Sequence, residues 1–388
     1  MASDGRTMGI ELAAGGGNAP NSLGAALYSL GASFVRYFRS GSKPYYLLIG
    51  LLLTTTVVTF TVLNKNPFAT VDLPAVPRPK LFADLYGRPL YVFGDSTVDA
   101  GNYNITSYPY GLDLVDRSPA RFTNGLTIAD LLAKKLSTPT PRAYNYLGPV
   151  ERRESNVNFA TGGCGVLPRT HAPIACTPLK NQITELGDAR PKDLGRAVFF
   201  LSAGANDYVF SFEKAEVRPS PDEFAKEVVG TLESYLQELY DKGARTFIIN
   251  NIGPVGCVPD ERHKFLAKNT SSTECDEGMN EAVRKYNTNL ENALHKFAKS
   301  EGVSVILADS HKLFTEIMSD QSEYGFHNVV SPCCGKWRDD MGMYECKRGD
   351  AVCDRKAYLF FDGAHTTEEA NKFFVEKCFS GLICRVIG

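Results

Sequence analysis

A serine, an aspartate and a histidine of this chain lie in patterns that predict nucleophilic catalysis. Ser96 follows the apolar run LYVFGD, and Asp362 lies three residues before His365 near the C-terminus. A serine hydroxyl becomes a nucleophile when a histidine takes its proton, and that histidine needs an acid to orient it. We therefore predict that Ser96, His365 and Asp362 form a catalytic triad.

Two further segments could hold the oxyanion that such a nucleophile creates. The glycines of VNFATGGCGV, which include Gly162 and Gly163, let the backbone approach a bound group and aim its N–H groups at it. Asn206, in the segment GAND, can donate a hydrogen bond through its side-chain amide. The sequence therefore predicts that these two segments contribute to an oxyanion hole.

Each of these motifs also has a purely structural interpretation when it is taken alone. Gly-Asp-Ser is common in turns, and the chain holds a second Asp-x-x-His pair, Asp260 and His263, among charged residues after a proline. We interpret this second pair as a solvated helix start. The other histidines have no catalytic constellation and are predicted to be surface or packing residues: His171, His295, His311 and His327.

Strand-like and helix-like segments alternate along the body of the chain. Apolar runs such as PLYVFGD, AVFFLSAGAND, RTFIINNIGP and VSVILADS predict buried strands, and stretches with helical apolar spacing separate them. This order predicts an α/β fold, a three-layer α/β/α sandwich around a mostly parallel sheet, with its site beyond the carboxyl ends of the strands. Thr366 and Glu369 form a capping-box pattern, so a helix is expected just after His365.

The first 80 residues differ from the rest of the chain. Residues 1–44 are rich in Gly, Ser and Ala and are predicted to be a disordered cytoplasmic tail. Residues 45–63 carry no charge and are long enough for a transmembrane signal-anchor helix. Prolines in residues 64–80 predict a stiff stem, and the catalytic domain is expected over residues 81–388.

Charge, cysteines and sequons indicate where this body lies. Basic residues before the span favour a cytoplasmic N-terminus, and all ten cysteines lie at or after Cys164, which predicts disulfides in an oxidising lumen. Asn104 and Asn269 begin N-glycosylation sequons on the same side. These signals predict a type II membrane protein of the Golgi or another endomembrane. The alternatives are a cleaved leader followed by secretion, and a transit peptide. The net charge of −2 argues against nucleic-acid binding.

Taken together, the motifs resemble those of the plant GDSL esterase/lipase family, a branch of the SGNH hydrolases. The similar segments follow the family's order from about Leu81 to the C-terminus: VFGDSTVDAGNYN, SPARFTNGLTIADLLA, VNFATGGCGV, LSAGANDY, TFIINNIGPVGCVP and YLFFDGAHTTEEA. The resemblance implies the flavodoxin-like SGNH-hydrolase fold. The chain departs from the family at Tyr103, often an asparagine, and at Thr366, usually a proline, and neither change removes a catalytic group.

The resemblance also implies a role for each candidate residue. Ser96 matches the nucleophile, Asp362 the acid and His365 the base. The N–H group of Ser96, the N–H group of Gly163 and the side chain of Asn206 match the three donors of the oxyanion hole. The resemblance implies no metal or other cofactor. The cysteine-rich stretch from Cys333 to Cys353 could by itself suggest a zinc site. The family carries disulfides in the matching loop, so disulfides are expected there.

The expected activity is hydrolysis of a carboxylic ester through an acyl-enzyme. An acetylated polysaccharide is the leading substrate hypothesis, which would make the protein a carbohydrate O-acetylesterase. An acyl-lipid hydrolase (lipase) or an acyltransferase could use the same triad. From a different class, the chain could be an inactive binding module, although the intact set of catalytic residues argues against it.

Overall fold

The computed structural model describes the body of the chain, with short gaps. The described residues are 80–103, 108–115, 121–154, 156–170, 175–189, 193–213, 215, 219–269 and 274–388. The predicted tail, the predicted anchor and nearly all of the predicted stem lie outside these ranges, as does Asn104. Within the described ranges, no helix is both long and apolar enough to cross a bilayer.

Strands and helices alternate through most of the described chain. The strands are β1 (Leu90–Gly94), β2 (Arg142–Ala143), β3 (Val157–Asn158), β4 (Val198–Ser202), β5 (Thr246–Asn250), β6 (Ser304–Ala308), β7 (Asn328–Pro332), β8 (Lys336–Arg338), β9 (Met343–Glu345), β10 (Tyr358–Phe360) and β11 (Cys384–Ile387). The α-helices are α1 (Lys80–Ala83), α2 (Ile128–Lys135), α3 (Pro149–Glu154), α4 (Leu179–Ala189), α5 (Pro221–Asp241), α6 (Pro259–Lys268), α7 (Glu277–Phe297), α8 (Ser310–Ser319) and α9 (Glu368–Phe379).

A seven-stranded sheet forms the centre of the fold. Its strand order is β11-β6-β5-β4-β1-β3-β2, and every neighbouring pair is parallel except β11 with β6. Parallel neighbours need crossover connections, and helices supply them here, as in other sheets of this class. The predicted three-layer α/β/α architecture with a mostly parallel sheet is confirmed.

Both faces of the sheet are covered, which explains why its strands are apolar without alternation. In β1, Tyr91 and Phe93 face a core built with α4, α5 and α7. Leu90 and Val92 face a second core built with α1, α2, α8 and α9. The five residues of β1 are all buried, as are those of β4 and β5. The two cores hold the sheet between helical layers.

The register of the parallel strands brings their carboxyl ends level with one another. Gly94 at the end of β1 pairs with Ser202 at the end of β4. Ser202 in turn pairs with Asn250 at the end of β5, and Asn250 with Ala308 at the end of β6. The loops that leave these strand ends therefore start along one edge of the sheet, where the sequence predicted the site.

Disulfides pair all ten cysteines. The bonded pairs are Cys164–Cys176, Cys257–Cys275, Cys333–Cys353, Cys334–Cys346 and Cys378–Cys384. This confirms the prediction of disulfides, including the cysteine-rich stretch for which zinc was the alternative. Strands β8 and β9 form a hairpin inside that stretch, between residues 333 and 353, and we refer to it as the stapled hairpin.

Candidate active site

Ser96 lies in a tight turn directly beyond β1, and a close backbone approach requires glycine at the start of that turn. Gly94 has φ +146°, and a Cβ added to it would lie 2.0 Å from the carbonyl oxygen of Ser202. The next residue, Asp95, donates its N–H to the same oxygen at 3.1 Å. The buried Gln182 amide bonds both the N–H and the carbonyl of Gly94, each at 2.9 Å. The turn that presents Ser96 is therefore fixed from two sides.

The Ser96 hydroxyl is the first member of a hydrogen-bonded chain. Ser96 Oγ lies 2.8 Å from His365 Nε2, across 269 positions of sequence. His365 Nδ1 lies 2.8 Å from Oδ2 and 2.9 Å from Oδ1 of Asp362. Because a carboxylate only accepts hydrogen bonds, it assigns the imidazole proton to Nδ1 and leaves Nε2 to accept the serine proton. The structure thus brings the three predicted triad residues together.

Asp362 is buried but surrounded by donors. Its Oδ2 accepts a hydrogen bond from the Tyr110 hydroxyl at 2.6 Å. Its Oδ1 accepts the N–H groups of Ala364 at 2.9 Å and of His365 at 2.7 Å. Burial by itself raises the pKa of Asp362, but the charge of His365 and these hydrogen bonds outweigh it and lower the pKa below its ordinary value. Asp362 is therefore ionised at neutral pH.

His365 is held between Asp362 and an aromatic ring. Its side chain is 16% exposed, and the Phe122 ring lies 5.0 Å from the imidazole, centroid to centroid. Burial lowers the pKa of His365, but the charge and the hydrogen bond of Asp362 oppose it, and the net result is a raised pKa. A neutral imidazole is needed to accept a proton, so the raised pKa moves the acid limit of base catalysis upward.

Gly163 and Asn206 lie on the loops that follow β3 and β4, the two neighbours of β1. Gly163 has φ +85°. Within the part of the chain that the structure describes, the backbone N–H groups of Gly163 and Ser96 donate to no acceptor. Asn206 Nδ2 donates to the Cys164 carbonyl at 2.8 Å, which ties the two loops together. One of the two amide hydrogens is left for another acceptor. The candidate oxyanion donors thus lie on loops that leave strands next to β1, the strand that leads to Ser96.

A buried carboxyl that the sequence did not single out fixes the start of the glycine loop. Asp99 Oδ2 accepts the N–H groups of Gly162 at 2.9 Å and of Tyr103 at 3.0 Å. Its Oδ1 accepts those of Gly101 and Asn102, both at 2.7 Å. Burial raises the pKa of Asp99 to about 6, against the lowering effect of these four hydrogen bonds. Asp99 therefore links the serine loop to the residue before Gly163.

A second buried carboxyl fixes the other end of the same loop. Asp207, next to Asn206, accepts the N–H groups of Val166 at 2.7 Å and of Leu167 at 2.9 Å. Burial raises its pKa to about 6, with the hydrogen bonds opposing. Both acids were visible in the sequence beside the catalytic motifs. Only the fold shows that Asp99 and Asp207 hold the two ends of the glycine loop.

The helix after His365 begins one residue later than predicted. The N-cap of α9 is Thr367, whose hydroxyl accepts the N–H of Ala370 at 3.3 Å, so the capping box predicted at Thr366 is wrong. Thr366 instead forms an isolated β-bridge with Phe360. The Thr366 hydroxyl donates to Asn371 Oδ1 at 2.7 Å instead of accepting a backbone N–H of the first turn, and the next threonine caps the helix. His365 still sits at the junction between a strand and a helix.

The interpretation of Asp260 and His263 as a solvated helix start is also wrong in part. A helix does begin there, since α6 starts at Pro259. Asp260, however, is only 6% exposed, and its Oδ1 accepts the N–H of Tyr344 at 2.7 Å. The His263 ring stacks on Trp337 at 3.7 Å. The stapled hairpin covers this helix start, and a long-range contact of that kind leaves no trace in the local sequence.

The remaining predicted positions lie away from the triad. Asn269 is exposed at the end of α6. His295 and His327 are exposed and His311 is half-buried, in keeping with surface and packing roles, and His171 lies outside the described residues. Among the residues that the structure describes, no group of three or more His, Cys, Asp or Glu side chains could hold a metal ion.

A cavity of about 110 Å³ lies at the carboxyl ends of the central strands. Ala364 and Thr366, which flank His365, and Asp95 and Thr97, which flank Ser96, form part of its lining. Most of the wall is apolar and comes from the loop after β5 and from α8: Ile252, Pro254, Val255, Phe314 and Met318. Ser96 and His365 themselves are not among its lining residues, so the cavity touches the triad only through their neighbours in sequence.

The polar side of the cavity is internally satisfied. Ser310 Oγ donates to Asn250 Oδ1 at 2.7 Å, and Asn250 Nδ2 donates to Ser202 Oγ at 3.1 Å. Ser202 Oγ lies 3.2 Å from Thr97 Oγ1, which donates to Asp95 Oδ1 at 2.7 Å. These groups bond one another, so an apolar substituent can enter the cavity without displacing a hydrogen bond.

Comparison with known proteins finds a family model and relatives that are similar to this chain. The family model described as GDSL-like Lipase/Acylhydrolase matches residues 90–378. Two GDSL esterases/lipases of Arabidopsis thaliana are 30% and 31% identical to the chain over 325 and 320 residues, covering 75% and 74% of this chain and 86% and 84% of the relatives. A solved structure of a carbohydrate esterase matches with a TM-score of 0.30 and 14% identity over 57% of this chain and 56% of its own. That similarity is too low to support a statement about this chain.

Proposed function

The chain belongs to the GDSL-like lipase/acylhydrolase family, and from this premise we propose that it hydrolyses a carboxylic ester through Ser96, His365 and Asp362. The observation that carries the proposal is the unbroken hydrogen-bonded chain from Ser96 Oγ through the imidazole to Asp362. As a member of this family the protein is a carboxylic ester hydrolase. The roles of individual residues and the identity of the ester are the proposal.

The reaction follows from which atoms can give and take protons. His365 Nε2 takes the Ser96 proton while Oγ attacks the ester carbonyl, and ionised Asp362 stabilises the imidazolium that forms. The N–H groups of Ser96 and Gly163 and the Asn206 amide hold the oxyanion. His365 then gives the proton to the leaving alcohol. A water, deprotonated by the same nitrogen, releases the acid from the acyl-enzyme.

The cavity at the strand ends is small. A dry cavity of about 150 Å³ accommodates benzene, so one of about 110 Å³ fits only a few heavy atoms. The cavity opens to solvent, and neither Ser96 nor His365 lines it, so its volume does not limit the length of the acyl chain. We keep a short ester, such as an O-acetylated carbohydrate, as the leading substrate, with an acyl-lipid hydrolase as the alternative.

The proposal is tested with Ser96→Ala and a substrate series. We expect the variant to lose at least 10³-fold in kcat, the order seen when a triad nucleophile is removed. The native enzyme should prefer p-nitrophenyl acetate over the octanoate and release acetate from acetylated xylan. Unchanged hydrolysis by Ser96→Ala would rule out the assigned nucleophile. Preference for the octanoate would instead support an acyl-lipid hydrolase, and ester formation with an added alcohol would indicate an acyltransferase.

We also propose that the body lies in an oxidising lumen behind an anchor at residues 45–63. Five disulfides support the lumen, because cytosolic thiols are kept reduced. The uncharged length of residues 45–63 supports the anchor. Protease treatment of intact microsomes should leave the body protected, and a glycosidase should lower its apparent mass. An unglycosylated, protease-sensitive body would contradict this topology, and a mature N-terminus near residue 70 would indicate a cleaved leader.

A further inference from the structure

A buried carboxyl that the triad does not use lies behind the acid–base loop, which we define as residues 361–366. The backbone N–H of Asp260 donates to the carbonyl of Gly363 at 2.8 Å. The Asp260 side chain packs against the same residue, since a Cβ added to Gly363 would lie 1.9 Å from Asp260 Oδ1 and 2.4 Å from its Cγ. A side chain at the position that follows Asp362 would therefore force the Asp260 carboxyl to move.

Little in the surroundings compensates the charge of Asp260. Its one hydrogen-bond donor among the described residues is the N–H of Tyr344, and Lys264 on the same helix is bound to Glu261 at 2.6 Å. Burial raises the pKa of Asp260 to about 7, with a further contribution from Asp362 and opposition from the Tyr344 hydrogen bond. Asp260 therefore changes charge in the same pH range in which a histidine does.

The charged and titratable side chains around Asp260 come from every element packed against it. They are Asp362, His365, Tyr110, Tyr344, Glu261 and Lys264. Two of these are cations when protonated, His365 and Lys264, and Lys264 already has a carboxylate partner. Ionised Asp260 is therefore attracted by Lys264 and by the protonated imidazole, and the charge of Asp95 acts on the pKa of His365 in the same direction.

We propose that Asp260 is a positioning residue that acts on His365 through the acid–base loop. Its side chain holds Gly363 and so sets how Asp362 and His365 face each other. Its charge adds to that of Asp362 in stabilising protonated His365. Asp260 touches neither the imidazole nor Ser96, which distinguishes it from the triad acid. The inference rests on the proposed triad mechanism.

The sign of the electrostatic effect follows from the protonation state that catalysis needs. A negative charge near a histidine favours its protonated form and raises its pKa. Only the neutral imidazole accepts the serine proton, so ionised Asp260 makes activity disappear at a higher pH than it otherwise would. Removal of the charge should therefore extend activity toward acid.

The electrostatic part is tested with Asp260→Asn, which keeps the shape and the acceptor for Tyr344 but not the charge. The pH dependence of kcat/KM is measured with phenyl acetate. We expect the midpoint of the acid limb to fall by about half a pH unit. Asp193→Asn, the same change at a carboxyl that is 58% exposed, should leave the midpoint in place. An unshifted Asp260→Asn, or an equal shift in both variants, would overturn the electrostatic role.

The packing part is tested with Gly363→Ala alone and combined with Asp260→Ala. The new methyl group collides with the Asp260 carboxyl, so we expect kcat to fall at least tenfold with a smaller change in KM. Asp260→Ala vacates that space, and the double variant should regain at least threefold in kcat over Gly363→Ala. A double variant no better than Gly363→Ala would contradict the packing role.

These results separate the inference from the proposed function. If Ser96→Ala keeps its activity, the triad mechanism itself is wrong. If Ser96→Ala is inactive while the Asp260 variants behave like their controls, the triad mechanism holds and only the role of Asp260 is wrong. Thermal unfolding of each variant confirms that folded proteins are compared.

Discussion

The two halves of the proposed active site are held by different kinds of structure. The serine half, with Ser96, Gly163 and Asn206, follows β1, β3 and β4, which are neighbours in the central sheet. The acid–base half, with Asp362 and His365, follows β10, which pairs with β7 in a separate two-stranded sheet. One half is placed by the register of a buried parallel sheet, whereas the other depends on side-chain contacts and disulfides.

The hydrogen bonds of each half show what this difference means. In the serine half, Asp99 and Asp207 accept backbone N–H groups at both ends of the glycine loop. In the acid–base half, the Tyr110 hydroxyl and the Asp260 carboxyl contact the loop from side chains far away in sequence. A substitution in the serine half should displace the hydrogen-bond donors that stabilise the transition state. A substitution in the acid–base half should slow proton transfer to a smaller extent.

The largest effect after loss of the nucleophile is expected from Asn206→Ala in the serine half. Removal of one oxyanion donor typically lowers kcat by about 10²–10³-fold. KM should change much less, because the oxyanion forms only in the transition state. Steady-state kinetics with phenyl acetate measures both. A loss of kcat below tenfold would show that Asn206 is not an oxyanion donor.

Asp99→Asn should have the next largest effect. The asparagine NH₂ group would face backbone N–H groups that now donate to the carboxylate, so two hydrogen bonds are lost and the loop before Gly163 shifts. We expect kcat to fall about 30-fold, equivalent to about 2 kcal/mol. Asp193→Asn, the same change at a carboxyl that is 58% exposed, serves as the control. Equal kcat in the two variants would contradict a holding role for Asp99.

Tyr110→Phe tests the acid–base half and should have a smaller effect. It removes the 2.6 Å hydrogen bond to Asp362 while the ring contacts with Phe122 and Phe361 are kept. We expect kcat to fall about five- to tenfold with KM nearly constant. Tyr103→Phe is the matched control, since Tyr103 also contacts Phe122 but lies outside the hydrogen-bonded chain of the triad. A tenfold loss of kcat in Tyr103→Phe would mean that the ring contacts with Phe122, and not the hydrogen bond to Asp362, cause the effect.

The smallest effect on activity is expected from the disulfide between Cys334 and Cys346. The backbone of Cys334 donates to the Phe361 carbonyl at 2.7 Å, so the stapled hairpin contacts the acid–base loop. Replacing both cysteines with serine opens a loop of 12 residues and should cost about 2–3 kcal/mol of stability. Thermal unfolding should show a lower midpoint, while kcat at 25 °C falls no more than threefold. A larger loss of kcat than in Tyr110→Phe would mean that the hairpin holds the loop more strongly than the side chains do.

The sequence was sufficient for the central part of the fold. Strands such as β4 and β5 are continuous apolar runs because both of their faces are covered, and their type and order were predicted correctly. The short strands β2 and β3 and the antiparallel β11 were not predicted. A strand of two residues leaves no hydrophobic pattern, and it exists because its neighbours in the sheet fix it.

For the site, local motifs predicted which residues meet but not what holds them. Ser96, Asp362 and His365 lie in recognisable segments, and the fold brings them together. Tyr110 lies 252 positions from Asp362, and no local pattern links the two. Asp260 was assigned to solvent because its neighbours in sequence are charged. Its burial results from the stapled hairpin, which is distant in the sequence.

Covalent labelling of the nucleophile tests the central claim most directly. A fluorophosphonate reacts with a serine only where a base activates it and an oxyanion hole accepts the phosphoryl oxygen. We expect mass spectrometry of the digested protein to find one adduct, on the peptide that contains Ser96, with loss of ester hydrolysis in proportion to labelling. An adduct on a different serine, or full hydrolysis by protein labelled at Ser96, would contradict the account.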